Sequence, residues 1–149
     1  MLTKIISYIP AIIGLLTIGL FVLLNNAKST RNRVFAVLNL FVALWLLFLF
    51  FADISHQNTV ALWSLRLALF FGALVFLFFY YFALVFPFST KINRSKLIIY
   101  SIPMFAIALM SLTPLIIPSV KIENFGAQPE NINFIYTASD LIGILYLIA

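Results

Sequence analysis

Two opposite charges stand in otherwise apolar surroundings, and their positions raise the only chemistry this chain advertises. Arg66 lies in ALWSLRLALFFGALVF, Ala61 to Phe76, a stretch with no other charge, and Asp140 lies in YTASDLIGILYLIA near the end of the 149-residue chain. Each is six residues into an apolar run, Arg66 from Val60 and Asp140 from Phe134. If both runs enter a bilayer from the same side, the two charges share a depth of roughly 9 Å at a helical rise of ~1.5 Å per residue. A lone charge there costs several kcal/mol, and a charge-assisted hydrogen bond offsets much of that cost. The first expectation is therefore an intramembrane ion pair between Arg66 and Asp140. Two other readings of Arg66 stay open: its stem can snorkel toward the near surface, or its head can meet a ligand or a water-filled cavity.

The remaining candidates are weaker. His56, the only histidine, stands near Asp53 in DISHQNT, where a titrating imidazole could sense protons or bind metal. No second histidine and no cysteine accompanies it, so a solvated turn residue is the plainer reading and no metal is expected. Ala68 and Gly72 stand four apart, and Gly143 follows Asp140 on the same helical face; such small residues allow close approach of membrane helices, either within the chain or in a homodimer. Asn39 is expected to make an interhelical hydrogen bond. A phosphate loop, H-E-x-x-H, G-x-S-x-G and a carboxylate cluster are all missing from the sequence, which predicts neither catalysis nor a cofactor within these residues.

The elements that must position these residues are written in the composition. With 64% hydrophobic and 9% charged residues and a mean hydropathy of +1.17, a polar surface cannot be built at this length. Apolar runs occupy Ile5–Leu24, Val34–Ala52, Val60–Phe86 and Leu97–Ile117, with a last one, Phe134–Ala149, still running at the end of the sequence. At about 20 residues per ~30 Å hydrocarbon core, the expected fold is an all-α antiparallel transmembrane bundle with the lipid bilayer as its solvent, four complete spans and a truncated fifth. The chain is accordingly expected to continue beyond Ala149. Pro103 and Pro114 are expected as kinks inside span four.

The net charge of +5 does not mark a nucleic-acid surface, because the basic residues fall in short clusters between apolar runs. NNAKSTRNR holds Lys28, Arg31 and Arg33, and STKINRSK holds Lys91, Arg94 and Lys96, whereas DISHQNT has no Lys or Arg. The positive-inside rule puts the first two segments in the cytoplasm and the N-terminus outside, with Lys4 dissenting. The first run lacks a small-x-small cleavage site, so it is read as a span and not as a signal peptide.

Taken in order, a short outside N-terminus, a first span, a basic turn into RVFAVLNLFVALWLLFLFFAD, then WSLRLALFFGALVFLFFYYFALVFPF and a basic loop resemble the N-terminal seven-transmembrane sensor region of bacterial histidine kinases. Trp45 matches the tryptophan of the family's second span. Trp63, Arg66 and Leu67 match its aromatic-x-x-Arg-Leu element, and Phe82, Ala83, Leu84, Phe86 and Pro87 match the exit of its third span. The resemblance implies a plasma-membrane input module that receives an unidentified small-molecule or lipid signal and relays it to a cytoplasmic kinase or diguanylate cyclase domain not contained in these residues. The rival expectations are a partial transporter or channel subunit, and a non-catalytic membrane scaffold.

Overall fold

The computed structural model describes residues 2–86, 94–123 and 126–130. The order of elements is α1 (Leu2–Asn25), α2 (Thr30–Ile54), α3 (Asn58–Val85), α4 (Arg94–Ser111), β1 (Val120–Glu123) and β2 (Gly126–Pro129). In an apolar medium a backbone must bond to itself, and helices with only short polar interruptions satisfy that requirement. Three of them, Ile6–Asn25 within α1, then α2 and α3, are long and apolar enough to cross a membrane.

The joints between these helices are brief and polar. Asn26 to Ser29 separate α1 from α2, and Ser55 to Gln57 separate α2 from α3. Such short connections force neighbouring helices to run antiparallel. At one end Tyr8 of α1 meets Asp53 of α2, and at the other Asn32 of α2 donates to the Val22 carbonyl oxygen at 2.9 Å and to that of Asn26 at 3.2 Å. Ring contacts run along the α2/α3 seam: Phe48 stacks on Phe71 at 5.4 Å, and Phe41 meets Phe78 edge-on at 4.9 Å. Helix α3 ends at Val85, just before Phe86 and Pro87, as expected where proline disfavours the helical conformation of the residue before it.

Among the described residues the helices form a row and not a closed bundle. α1 packs on α2, α2 on α3 and α3 on α4, with no helix reaching past its neighbour. Large side chains remain exposed on the two flanks, among them Ile13, Phe21 and Leu24 of α1 and Ile98, Ile102 and Phe105 of α4. Apolar surface of that kind suits a hydrocarbon environment better than water.

The fourth run differs from its expectation of a complete span over Leu97–Ile117. Helix α4 stops at Ser111, so its described apolar part, Ser101–Ser111, is shorter than the three spanning helices. Pro114 supplies the reason, because its nitrogen cannot donate to the carbonyl of Met110 and its ring disfavours a helical Thr113. The orphaned Met110 carbonyl oxygen instead accepts from the Thr113 amide at 3.0 Å and its hydroxyl at 2.6 Å. Pro114 is thus a terminator here, whereas Pro103 does lie within the helix.

Beyond this turn the chain forms an antiparallel hairpin in which Val120 faces Pro129 and Ile122 faces Ala127. In the sequence this segment stands only as a polar interval between the fourth and fifth apolar runs. Its alternation buries Val120 and partly buries Ile122 and Ala127 against Ala61, Ile116 and Ile117, while Lys121 and Gln128 are exposed. The hairpin therefore sits on the end of the row where α3 begins. The fifth run, Phe134–Ala149, with Asp140 and Gly143, lies outside the described residues, as do the basic-loop residue Lys91 and the side chains of Arg94 and Lys96.

Candidate functional site

Helix α3 is the most deeply buried of the three helices of spanning length, and several of its buried positions carry small side chains. Ala61, Ser64, Ala68, Ala73, Leu74 and Leu77 are buried along it, and so is Arg66, with only 6% of its surface exposed. A guanidinium at that burial needs acceptors. It finds one in the backbone: Nε and Nη2 of Arg66 donate to the carbonyl oxygen of Ile117 at 3.2 and 2.8 Å. That oxygen has no helical partner because the helix has already ended at Ser111. The Arg66 head also lies over the Trp63 ring, 5.4 Å from its centroid, one helical turn away on the same face. Beneath it, the Ser111 hydroxyl donates to the Ala108 carbonyl oxygen at 2.7 Å and approaches that of Arg66 at 3.4 Å.

The Arg66 cluster therefore fastens α3 to the α4 turn and the base of the hairpin. None of the three readings of Arg66 named a backbone carbonyl as its partner. Pro114, which ends the helix and so frees carbonyls at that place, was the available signal. The proposed partner Asp140 lies outside the described residues, so the ion pair stands as a proposal.

Trp45 and Gly72 were singled out separately, and the structure brings them together. A β-carbon at Gly72 would lie 3.6 Å from the Trp45 Nε1 and 3.7 Å from its Cδ1, ordinary contact distances, so the indole is seated directly against this glycine. A second such seat joins α1 to α2, where a β-carbon at Gly19 would stand 3.1 Å from that of Asn39. Asn39 does not make the expected interhelical bond: its Nδ2 donates to the Phe35 carbonyl oxygen of its own helix at 2.8 Å.

Around the Trp45 and Gly72 contact lies a cavity of about 300 Å³, floored by Ala68, Gly72 and Ala73 of α3 and walled by Trp45 and Leu49 of α2 and by Met104 and Ile107 of α4. Ile116, Ile117 and Pro129 close it toward the hairpin, which puts Arg66 behind its wall and not in it. Among the described residues only Ser111 and the Trp45 indole bring side-chain nitrogen or oxygen atoms to the lining.

His56 is exposed in the turn between α2 and α3, and no cluster of His, Cys, Asp or Glu that could hold a metal occurs among the described residues. Sequence reasoning missed the role of its neighbour Asp53. That residue belongs to the last turn of α2, where Oδ2 accepts the Tyr8 hydroxyl at 3.0 Å and links α2 to α1. Compared with known protein families, with curated proteins and with solved structures, the chain matches none of them.

Proposed function

We propose that this chain is the membrane-embedded input module of a signal-transduction protein, of the kind found ahead of histidine kinases, with its N-terminus and hairpin outside. The observation that carries this reading is the Arg66 bond to Ile117. It couples a hairpin at one end of the row to a helix of spanning length, so a displacement at the hairpin is felt along α3. A switch of this type needs two packings of similar free energy and a signal that binds them unequally. An arginine held by one neutral carbonyl, with a carboxylate available at Asp140, has two such arrangements. In the complete arrangement, α4 and the turn after it make a fourth crossing and Phe134–Ala149 a fifth, which places Asp140 level with Arg66.

The uneven distribution of Lys and Arg supports the orientation. The Trp63 contact with Arg66 supports a common role for the two residues that the resemblance pairs. Reading the coding DNA beyond Ala149 tests the proposal. Further apolar spans followed by a phosphoacceptor-histidine helix and an ATP-binding domain, or by a cyclase domain, are expected. A stop codon directly after Ala149, or many further spans with no soluble domain, contradicts it.

A further inference from the structure

The cavity between α2, α3 and α4 has a composition that selects its contents. Among the described residues its lining includes no charged side chain, and the buried charge of α3, Arg66, is engaged with Ile117 outside that lining. An ion would enter such a site at a cost of several kcal/mol. At ~30 Å³ for each water-sized group, the volume holds on the order of ten such groups, about the size of a short acyl chain. Filling it with water would leave most of that water without partners.

The polar groups of the lining are not equivalent. Ser111 already donates its hydroxyl proton to Ala108. The Trp45 Nε1 hydrogen has no acceptor among the described residues, and because no buried side-chain polar atom there lacks a partner, this nitrogen must reach accessible space. That space, beside Gly72, is the cavity. A ligand that fits therefore has an apolar body and one hydrogen-bond acceptor.

We infer that the cavity is a binding site for an uncharged acyl ester, whose carbonyl accepts from Trp45 and whose chain lies on the Ala68, Gly72 and Ala73 floor. The ester is either a free small molecule or the acyl group of a bilayer lipid. The inference names a ligand class without depending on the signalling role, since binding is read on the chain alone.

The test uses the full chain carrying Trp63→Phe in phosphatidylcholine nanodiscs, so that Trp45 is the sole tryptophan and is excited selectively, titrated with octyl acetate, n-decane and, at pH 8, octanoate. Octyl acetate is expected to give a saturable change, about threefold to tenfold tighter than decane, the range a single neutral hydrogen bond supplies. Octanoate is expected to give none. Repeating the titration in nanodiscs with brominated acyl chains separates the sources: relief of Trp45 quenching by octyl acetate identifies lipid as the resident, and saturation without relief identifies a free molecule. Ile107→Phe, which fills the cavity from α4, is expected to abolish the saturable response. Trp45→Phe, followed by the ligand-induced rise in Tm, is expected to reduce the ester to the level of the alkane. A linear, unsaturable response overturns the inference, as does an ester preference that survives Trp45→Phe.

Discussion

Arg66 and Ile117 are 51 residues apart in sequence, yet two guanidinium nitrogens of the one converge on the carbonyl oxygen of the other. A cation buried on a helix long and apolar enough to cross a membrane is thus bonded to the backbone of a segment that has just ceased to be helical. Loss of this bond removes a charge-assisted interaction that ties α3 to the hairpin.

Arg66→Gln is accordingly expected to lower stability by about 2 kcal/mol, within the range for hydrogen bonds to charged groups. Arg66→Lys, which keeps the charge but not the forked geometry, should fall between the two. Thermal unfolding in a fixed detergent or nanodisc checks both. An Arg66→Gln variant as stable as the parent would show that the bond contributes nothing.

The proposed second partner of Arg66 is tested by a double-mutant cycle. Arg66→Gln and Asp140→Asn, made singly and together, should be non-additive by roughly 0.5–3 kcal/mol if the two side chains interact. Additive losses would leave Ile117 as the functional partner and remove Asp140 from the switch.

The glycines of α1 make a graded prediction. Gly14 has nothing within 4 Å of its would-be β-carbon, so Gly14→Ala should stabilise by up to about 1 kcal/mol through helix propensity alone. At Gly19 the same added carbon meets the Asn39 β-carbon at 3.1 Å, and the helices must part slightly. Gly19→Ala should therefore be the less stable of the two variants by about 1–3 kcal/mol, the usual cost of overpacking. Equal Tm values would mean that α1 does not seat on Asn39.

Tyr8 and Asp53 close the other side of the row. Tyr8→Phe keeps the ring beside Phe50 and deletes the hydroxyl, so a loss of about 0.5–1.5 kcal/mol is expected, and its effect should be non-additive with that of Asp53→Asn. Full additivity of the two substitutions would argue against their contact.

Much of the fold was legible because apolar runs of spanning length admit few conformations. The first run, Ile5–Leu24, became a helix over Leu2–Asn25, and the third, Val60–Phe86, one over Asn58–Val85. Leu97–Ile117 misled for the converse reason: hydropathy continues across Pro114, but the helical ladder does not. The hairpin went unseen because four residues on each strand give too short an alternation to stand out from a polar loop. In the site, Arg66, Trp63, Trp45 and Gly72 were identifiable by type and setting. The carbonyl that receives Arg66 has no side-chain signature, and only the prolines around it mark the place.

Orientation is the claim on which the input-module account most directly rests, and the cysteine-free sequence makes it measurable. The structure puts Asn58 and the hairpin residue Gln128 at one end of the row and Ser29 at the other. Single cysteines at these three positions would be labelled with an impermeant maleimide on intact cells and again after permeabilisation. The account predicts labelling of Asn58→Cys and Gln128→Cys on intact cells, and of Ser29→Cys only once the membrane is opened. Labelling of Ser29→Cys alone on intact cells would invert the protein and contradict an outside hairpin signalling inward.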